Sequence, residues 1–479
     1  MENKENKKNK KERPVINNVL ITDAGAQGMS IGKVEKKVIF VPFGVPGDIV
    51  DVQIMHSKRA YFEGKICNIV QPSAYRTDAV CRYFGTCGGC KWQNMSYTKQ
   101  LFYKQKIVKD NFHRLGKFPF PPLEPIIASK AVFSYRNKIE YSFADKKWLT
   151  SEEISQTEME IPRTNALGFH LPNIFDKVLD IEYCHLHDAT GNNVRNAVRE
   201  FALEKGITFA NIRSHSGLLR NLIIRSTTIG DIMVILVVRC FNEQAESVLQ
   251  FIVDTFPELT SVMYIENSKY NDSIHDLQAH TFAGKDFMTE KMGDLEFKIA
   301  PLAFFQTNSQ QAYKLYQTLL TMADAKPEDV VYDLYTGTGT IALFVAKSVK
   351  KVIGIEYIES AIESAKENAT LNGITNADFY AGDTLHILTD EFIAQNGEPN
   401  IVITDPPRGG MHYKVIERLL KMSPSKIVYV SCNPATQARD IALLAEDYKV
   451  TKVQPVDMFP HTQHVENIAL LEKKDENDE

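Results

Sequence analysis

Long hydrophobic segments are missing from this 479-residue chain. The longest apolar run in its middle, Ile232 to Val238, has the length of a buried strand and is far too short to span a bilayer. The Lys-rich start, MENKENKKNKKERP, has no apolar segment behind it, which argues against a secretory signal or a transit peptide. We therefore expect a cytoplasmic protein without a membrane partner.

A surplus of positive charge is also missing. The formal net charge is -5, from 55 Lys and Arg residues against 60 Asp and Glu residues. A nucleic acid would therefore have to bind a local basic surface, since the chain as a whole does not attract it. Hydrophobic residues (44%) and charged residues (24%) are at the levels of an ordinary soluble globular protein, and the length predicts roughly two to four domains.

The N-terminal part of the sequence consists of short strand-like segments broken by glycine. This pattern predicts a small β-barrel of the oligonucleotide-binding kind over residues 14–74. Its segment HSKRAYFEGK interleaves basic and aromatic residues, which suits single-stranded nucleic acid but is equally typical of an exposed hairpin. We expect residues 1–13 to be a disordered basic tail, and the acidic end, KKDENDE, to be solvated as well.

The rest of the sequence divides into two further regions. Residues 75–300 mix strands with short helices and predict a central α+β domain, whose helix near 96–116 we expect to pack on the C-terminal domain. From 301 to 472 strands and helices alternate, which predicts a doubly wound parallel sheet. The predicted fold class is therefore α/β, with a barrel and an α+β domain ahead of the α/β domain.

The segment DLYTGTGTIA predicts a nucleotide-binding loop. Gly337 and Gly339 lie between a strand and a helix, where the backbone turns tightly and approaches a ligand at the helix N-terminus. Glu356 ends the next strand, where a carboxylate binds two ribose hydroxyls. Because Gly337, Gly339 and Ala342 also satisfy the dinucleotide pattern G-x-G-x-x-A, the loop alone leaves NAD and S-adenosylmethionine both open.

The segment ITDPPRGG favours S-adenosylmethionine. Asp405 follows a buried strand, and two prolines stiffen the chain around its carboxylate. A methyltransferase has to hold a flat acceptor against a methyl sulfonium, whereas a dehydrogenase has no evident need for such a rigid acidic loop. The sequence therefore predicts a methyltransferase pocket at this sheet edge.

The cysteines fall into separate groups. Cys432 in YVSCNP follows a predicted buried strand and precedes Pro434, which places it at the carboxyl end of the sheet, where ligands bind. CRYFGTCGGC and YCHLHD supply four more cysteines, which in a cytoplasmic protein bind metal more often than they form disulfides: Cys81, Cys87, Cys90 and Cys184. Zinc is one candidate metal, since three of these cysteines with His185 or His187 would also form a zinc site. Cys67 and Cys240 lie in apolar, strand-like sequence and are predicted to be core residues.

Five motifs together resemble one family, the RNA uracil-C5 methyltransferases. They occur in the family's order: FFQTN, DLYTGTG, DPPRGG, SCNP and FPHTQHVE. The similarity covers the whole chain, and it implies a TRAM β-barrel, a central domain with a cysteine-bound [4Fe-4S] cluster and a Rossmann-like methyltransferase domain that uses S-adenosylmethionine. On this resemblance the cluster ligands are the four cysteines of the central group.

The resemblance also implies the site residues. The cofactor residues are Gln306, Tyr335, Glu356 and Asp405, with Asp383 in YAGD as a weaker candidate for the adenine. Asp405 and Gln306 are also expected to hold the uracil edge. Cys432 is the nucleophile that adds to uracil C6, and Glu466 is the base that removes the C5 proton. Thr336 departs from the cysteine that family members often carry in the glycine loop, but both glycines remain.

The expected function is the conversion of a uridine to 5-methyluridine. The cysteine pattern and the full barrel resemble the 23S ribosomal RNA branch of the family, with a tRNA methyltransferase as the alternative. An amino-group methyltransferase is a further alternative, because DPPR resembles the N/D-P-P-x loops of that class, but such an enzyme needs no cysteine nucleophile. An RNA-binding module with a vestigial pocket is disfavoured by the intact motifs. We expect structured RNA as the partner, no obligate protein partner, and a monomer.

Overall fold

The structure is a computed structural model that describes residues 13–155 and 163–475. All but residue 13 of the predicted basic tail, and the last four residues of the acidic end, lie outside the described residues. The chain divides into two compact units. The first comprises Met1–Gly85, Gly89–Tyr103 and His461–Gln463, and the second comprises Thr86–Gly88, Lys104–Pro460 and His464–Glu479.

The first unit contains a closed β-barrel. Its five strands close in the order β1-β2-β3-β5-β4. Their bounds are Val15–Ala24 (β1), Met29–Val34 (β2), Lys37–Pro42 (β3), Ile49–Ser57 (β4) and Tyr61–Gln71 (β5), with a 3-10 turn at Ala26–Gly28. Alternate apolar residues such as Ile21, Ile39 and Val52 are fully buried, as the two-residue period of a strand requires. The predicted barrel is therefore confirmed.

The long predicted helix is present after the barrel. It runs over Tyr97–Asn111 (α1) and ends in a π-turn over Phe112–Gly116. Val108 and Phe112 are fully buried in a cluster that includes Tyr332 and Tyr429 of the C-terminal sheet.

The central region is an eight-stranded mixed sheet with the order β13-β12-β11-β10-β6-β8-β9-β7. Its strands are Lys138–Ala144 (β6), Lys147–Trp148 (β7), Ala166–Leu171 (β8), Ile174–Asp180 (β9), Leu219–Ser226 (β10), Ile232–Val238 (β11), Ser261–Glu266 (β12) and Ala279–Gly284 (β13). The helices of this region are Ser151–Ser155 (α2), Ala189–Glu204 (α3) and Glu243–Thr255 (α4). α3 and α4 bury apolar residues such as Val198 and Leu249 in one cluster with Leu222 and Leu236. The apolar run that predicted a buried strand forms β11.

The C-terminal region is a doubly wound sheet with the order β18-β17-β16-β19-β20-β22-β21, preceded by the hairpin β14–β15. The strands are Met288–Met292 (β14), Leu295–Ile299 (β15), Val330–Leu334 (β16), Lys351–Glu356 (β17), Ala377–Ala381 (β18), Ile401–Thr404 (β19), Lys426–Ser431 (β20), Tyr448–Val456 (β21) and Glu466–Lys473 (β22). The helices are Ser309–Ala323 (α5), Thr340–Ala346 (α6), Glu359–Leu371 (α7), Thr384–Ile387 (α8), Asp390–Asn396 (α9), Tyr413–Met422 (α10) and Pro434–Leu444 (α11).

This sheet departs from a purely parallel one at its last two strands. β16 to β20 pair in parallel, whereas β22 inserts between β20 and β21 and pairs antiparallel with both. The carboxyl ends of the parallel strands and the amino end of β22 therefore meet at one edge of the sheet, which is where ligands bind in this fold.

Two cysteine predictions are wrong. Cys67 on β5 and Cys240 after β11 are both exposed. The last residues of β5 are exposed on both faces, and Cys240 follows the end of the buried strand rather than lying within it. Within residues 13–155 and 163–475, no helix has the length and apolar character that a membrane crossing requires.

Candidate active site

The glycine loop between β16 and α6 adopts the conformation that its sequence predicts. Gly337 (φ 57°) and Gly339 (φ 78°) are both left-handed. A Cβ on Gly339 would lie 2.9 Å from the Ala365 side chain, so packing requires glycine there. A Cβ on Gly337 would meet nothing within 4 Å, so the backbone is open to a ligand at that point. Tyr335 also has a positive φ of 65°, a strained conformation of the kind that clusters at ligand sites.

The predicted cofactor residues surround this loop. Glu356 accepts hydrogen bonds from the Gly337 N–H at 3.1 Å and the Ile358 N–H at 3.0 Å, which fixes its carboxylate beside the glycine loop. Burial raises the pKa of Tyr335 to about 12, and the nearby charges of Asp383 and Glu356 add to the shift. Asp383 caps α8 by accepting the Leu385 N–H at 2.9 Å. Tyr335, Glu356 and Asp383 therefore lie together.

The strand register brings the predicted nucleophile and base to the same edge. Ser431 at the end of β20 pairs with Asn467 near the start of β22. The next residues toward the edge are Cys432, which directly follows β20, and Glu466, the first residue of β22, because the two strands run antiparallel. Glu466 is 6% exposed and Cys432 is half-buried. Sequence reasoning reached both residues without this register.

Four residues of the site lie close enough for their charges to affect one another's pKa values. Burial, together with the charges of Glu466 and Asp405, raises the pKa of the Cys432 thiol to about 11, although Arg408 opposes the shift through its charge and a hydrogen bond. Burial and the charge of Asp405 raise the pKa of Glu466 to about 8, again against Arg408. Burial raises the pKa of Asp405 to about 7. A cationic ligand in this pocket would favour the ionised carboxylates, which suits a sulfonium cofactor.

Gln306 lies in the segment before α5. Asn137 holds this segment, since its Nδ2 donates to the Gln306 carbonyl at 3.0 Å and its N–H donates to the Thr307 carbonyl at 2.9 Å. Gln306 is half-buried and directly follows the exposed Phe304 and the buried Phe305. α5 packs against β20, which ends directly before Cys432, and against β22, which begins at Glu466.

Sequence reasoning missed three residues of the site. Arg408 in DPPRGG is the cation beside Cys432. Asp333 is buried, and its Oδ1 has no hydrogen-bond partner within the described part of the chain, while Oδ2 accepts from Thr336 Oγ1 at 2.5 Å. Tyr316 on α5 is 4% exposed, and burial and the charges of Asp405, Asp333 and Glu466 raise its pKa. The motifs contain the first two, but only the fold shows what surrounds them.

The predicted metal ligands are all half-buried. Within the first unit, Gln93 hydrogen-bonds the Cys81 N–H at 3.1 Å and the Cys90 Sγ at 3.2 Å. Within the second unit, burial raises the pKa of Tyr141, and the charges of Cys184 and Cys87 contribute to the increase. No group of three or more His, Cys, Asp or Glu side chains among residues 13–155 and 163–475 is arranged to hold a metal ion. The predicted cluster stays a prediction from the sequence.

The zinc alternative with His187 does not fit. A Cβ on Gly191 would lie 2.0 Å from Nε2 of His187, so this nitrogen faces the backbone of α3. Its other ring nitrogen, Nδ1, lies 3.1 Å from the Arg136 carbonyl. Both nitrogens of His187 are therefore turned toward the protein backbone.

Two family models match parts of this chain, and two relatives match nearly all of it. Residues 281–474 match the family described as tRNA (Uracil-5-)-methyltransferase, and residues 16–67 match the TRAM domain. A Bacteroides thetaiotaomicron protein described as an uncharacterized RNA methyltransferase is 52% identical over 451 residues, which are 93% of this chain and 99% of the relative. A Porphyromonas gingivalis protein with the same description is 46% identical over 463 residues, which are 95% of this chain and 100% of the relative.

One solved structure is similar to this chain over nearly its whole length. The Pyrococcus abyssi tRNA (uracil-54, C5)-methyltransferase, in complex with S-adenosyl-L-homocysteine, is 27% identical and has a TM-score of 0.72, over 95% of this chain and 100% of that one.

The barrel, the doubly wound sheet and the glycine loop define an RNA methyltransferase that uses S-adenosylmethionine. The chain belongs to the family of RNA uracil-C5 methyltransferases with an N-terminal TRAM domain. The predicted family, the cofactor S-adenosylmethionine and RNA as the substrate class are thereby confirmed. The roles of individual residues stay predictions.

Proposed function

We propose that this enzyme methylates C5 of a uridine in 23S ribosomal RNA, with Cys432 as the nucleophile and Glu466 as the base. The observation that carries the proposal is the register of β20 and β22, which sets Cys432 and Glu466 side by side at the ligand edge of the sheet. Asp405, the carboxylate of the DPPR loop, lies within electrostatic reach of both. A nucleophile and a proton acceptor in one pocket fit a covalent reaction with the uracil ring. An amino-group methyltransferase does not need such a reaction.

The chemistry follows from the weak nucleophilicity of uracil C5. The Cys432 thiolate adds to C6, which breaks the C5–C6 double bond and makes C5 nucleophilic. When bound, S-adenosylmethionine supplies the methyl group that C5 receives. Glu466 then takes the C5 proton, the C5–C6 double bond re-forms, and the C6–S bond breaks to release the thiolate.

Arg408 has a defined place in this scheme. The thiolate is the reactive form of Cys432, but burial and two carboxylates favour the neutral thiol. The guanidinium of Arg408 opposes them by its charge and its hydrogen bond. We infer that Arg408 stabilises the thiolate, both before addition and when it leaves.

Cofactor binding is assigned to Gln306, Tyr335, Glu356 and Asp405. Two features support the fit: the open backbone at Gly337, and the unsatisfied Oδ1 of Asp333 within the described chain, which can accept a hydrogen bond from a cationic ligand. Glu356 lies beside the glycine loop, where its carboxylate would accept hydrogen bonds from the ribose hydroxyls.

Glu356→Ala is expected to weaken S-adenosylmethionine binding by about 1–3 kcal/mol, because a charged acceptor of paired hydroxyls is removed. Titration calorimetry measures the change. Glu359→Ala, an exposed carboxylate in the first turn of α7, is the matched control and should bind as the wild type does. Equal affinity of wild type and Glu356→Ala would remove Glu356 from the site.

A tRNA target is the second candidate, because the solved relative from Pyrococcus abyssi is a tRNA (uracil-54, C5)-methyltransferase. Nucleoside mass analysis of separated 23S RNA and tRNA from cells that lack the protein distinguishes the two. Loss of 5-methyluridine from the 23S fraction alone supports the proposal, and loss from the tRNA fraction alone replaces it. Loss of a methylated amino group instead would support the amino-group alternative.

We further propose that Cys81, Cys87, Cys90 and Cys184 hold a [4Fe-4S] cluster, and the support for it is the cysteine pattern of the sequence. Anaerobically prepared protein is expected to contain iron and acid-labile sulfide, and to bleach slowly in air. Cys184→Ser should lose most of both, while Cys240→Ser, at an exposed cysteine outside the group, should keep them. Stoichiometric zinc without sulfide would show that the metal is not an iron–sulfur cluster.

A further inference from the structure

A buried ion pair lies at the start of the connection that leads from β21 to Glu466. Lys104 of α1 and Asp457, the first residue after β21, are 2.5 Å apart, and both side chains are 0% exposed. Burying two charges is expensive, and an apolar pair of similar size is often as stable, so stability alone is a weak reason for the pair. The alternative reason is that the pair fixes one conformation of the chain around it.

The chain around this pair is the segment that leads to Glu466. The Lys104 Nζ also donates to the Phe459 carbonyl at 2.9 Å, and Asp457 Oδ1 accepts the Phe459 N–H at 3.1 Å. The ion pair therefore binds both the N–H and the carbonyl of Phe459. The Asp457 N–H donates to the Ile127 carbonyl at 2.9 Å.

The two residues beside Phe459 are held by other side chains. Asn308 of the FFQTN motif donates to the Met458 carbonyl at 2.9 Å, and the Tyr135 hydroxyl donates to the Pro460 carbonyl at 2.9 Å. Four consecutive residues, 457–460, are thus each tied by a side chain or backbone group from elsewhere in the chain. An ordinary surface connection between two antiparallel strands needs no such anchoring.

The same lysine also lies near the residues just before the base. Burial lowers the pKa of His464 to about 4, and the positive charges of Arg408, Lys104 and Arg136 contribute. His464 is therefore neutral at physiological pH and lies within electrostatic reach of both Lys104 and Arg408.

We propose that the Lys104–Asp457 pair is a positioning device for Glu466, needed for the proton-removal step and not for the earlier ones. The inference rests on the proposed roles of Cys432 and Glu466. Addition and methyl transfer depend on β20, the DPPR loop and the cofactor loop. Proton removal depends on Glu466, which pairs with Val456, the residue directly before Asp457, so the hairpin end that the ion pair holds is the one that carries Glu466. A misplacement of about 1 Å in a reacting group can slow a step by about 100-fold.

The test is the double variant Lys104→Met/Asp457→Asn, which removes both charges at once and so leaves neither one buried and unpaired. The new asparagine keeps an oxygen for the Phe459 N–H, while methionine fills the space of lysine without donating to the Phe459 carbonyl. The matched control is Lys106→Met/Asp110→Asn, which removes a half-exposed ion pair of 2.7 Å from the same helix.

Single-turnover reactions are run with RNA from cells that lack the protein and with methyl-labelled S-adenosylmethionine. The covalent protein–RNA adduct and the free methylated RNA are measured separately. We expect release of RNA from the adduct to slow by about 10- to 100-fold in the Lys104→Met/Asp457→Asn variant. The adduct should therefore become visible although Glu466 is present, while its rate of formation and the cofactor affinity match the wild type. The control variant should behave as the wild type throughout.

Three results would overturn the inference. One is release at the wild-type rate, and another is an equal slowing of adduct formation and release, which indicates a structural role only. The third is the failure of Glu466→Gln to trap any adduct, which removes the proposed function and the inference with it. A trapped adduct in Glu466→Gln with normal release in the double variant leaves the function standing and removes only the positioning role.

A second variant covers the case in which the double variant does not fold. Tyr135→Phe deletes only the hydroxyl that holds the Pro460 carbonyl and introduces no charge change. It should slow release more weakly than the double variant but in the same step. Unchanged release in Tyr135→Phe, with the double variant unfolded, counts against the inference.

Discussion

Glu466→Gln is expected to stop the reaction with the RNA still attached to the protein. Addition of Cys432 and methyl transfer need no base, but the C5 proton cannot then be removed, so the C6–S bond does not break. The variant should accumulate a methylated RNA–protein adduct that survives denaturing electrophoresis and carries label from the methyl group. Glutamine keeps the size of glutamate, so the buried site is changed only in its ability to accept a proton.

The control for this result is Glu472→Gln, a carboxylate near the far end of the same strand β22. It should turn over without a trapped adduct. Normal turnover by Glu466→Gln, with no adduct, would exclude Glu466 as the base.

Cys432→Ala is expected to abolish both the adduct and methyl transfer. Without the thiolate, C5 is not made nucleophilic, so the loss should reach the detection limit of a methyl-transfer assay. Cofactor binding should persist, because the glycine loop and Glu356 are untouched. Cys240→Ala, at an exposed cysteine, should keep full activity.

The double variant Cys432→Ala/Glu466→Gln separates the order of the steps. If the thiol acts first, the double variant should resemble Cys432→Ala and form no adduct. An adduct in the double variant would mean that another residue attacks the RNA, and Cys432 would then have no role as the nucleophile.

The sequence predicted the parallel part of the sheet and the position of Cys432 because those features have local signals. A β-branched run followed by Asn433 and Pro434 marks the end of a strand, and the ends of parallel strands share one edge. Glu466 had no such signal and was assigned by resemblance alone. Its place depends on the antiparallel pairing of β22 with β20, a long-range contact that no local pattern encodes.

The misplaced and missed residues have a common cause. Cys67 and Cys240 lie in apolar stretches of the sequence, but both are exposed. The sequence of apolar residues does not show at which residue a strand leaves the core. Asp333 and Lys104 were not assigned because nothing in the sequence marks them as buried. Burial of a charged residue is decided by elements distant in the chain, and its functional meaning appears only when the fold is known.

The pairing of β20 with β22 makes the separation of the proposed nucleophile and base depend on the backbone. Cβ atoms of facing residues in an antiparallel ladder lie about 4.5–5.5 Å apart, and Cys432 and Glu466 are the residues next to the last such pair, Ser431 and Asn467. A slip of β22 by one residue would turn Glu466 to the opposite face of the sheet while keeping most backbone hydrogen bonds. An insertion or deletion in the segment 457–465 that shifts the register of β22 therefore moves Glu466 out of place, even when every side chain of the site is kept. An engineered enzyme that borrows this site has to transplant both strands as one unit.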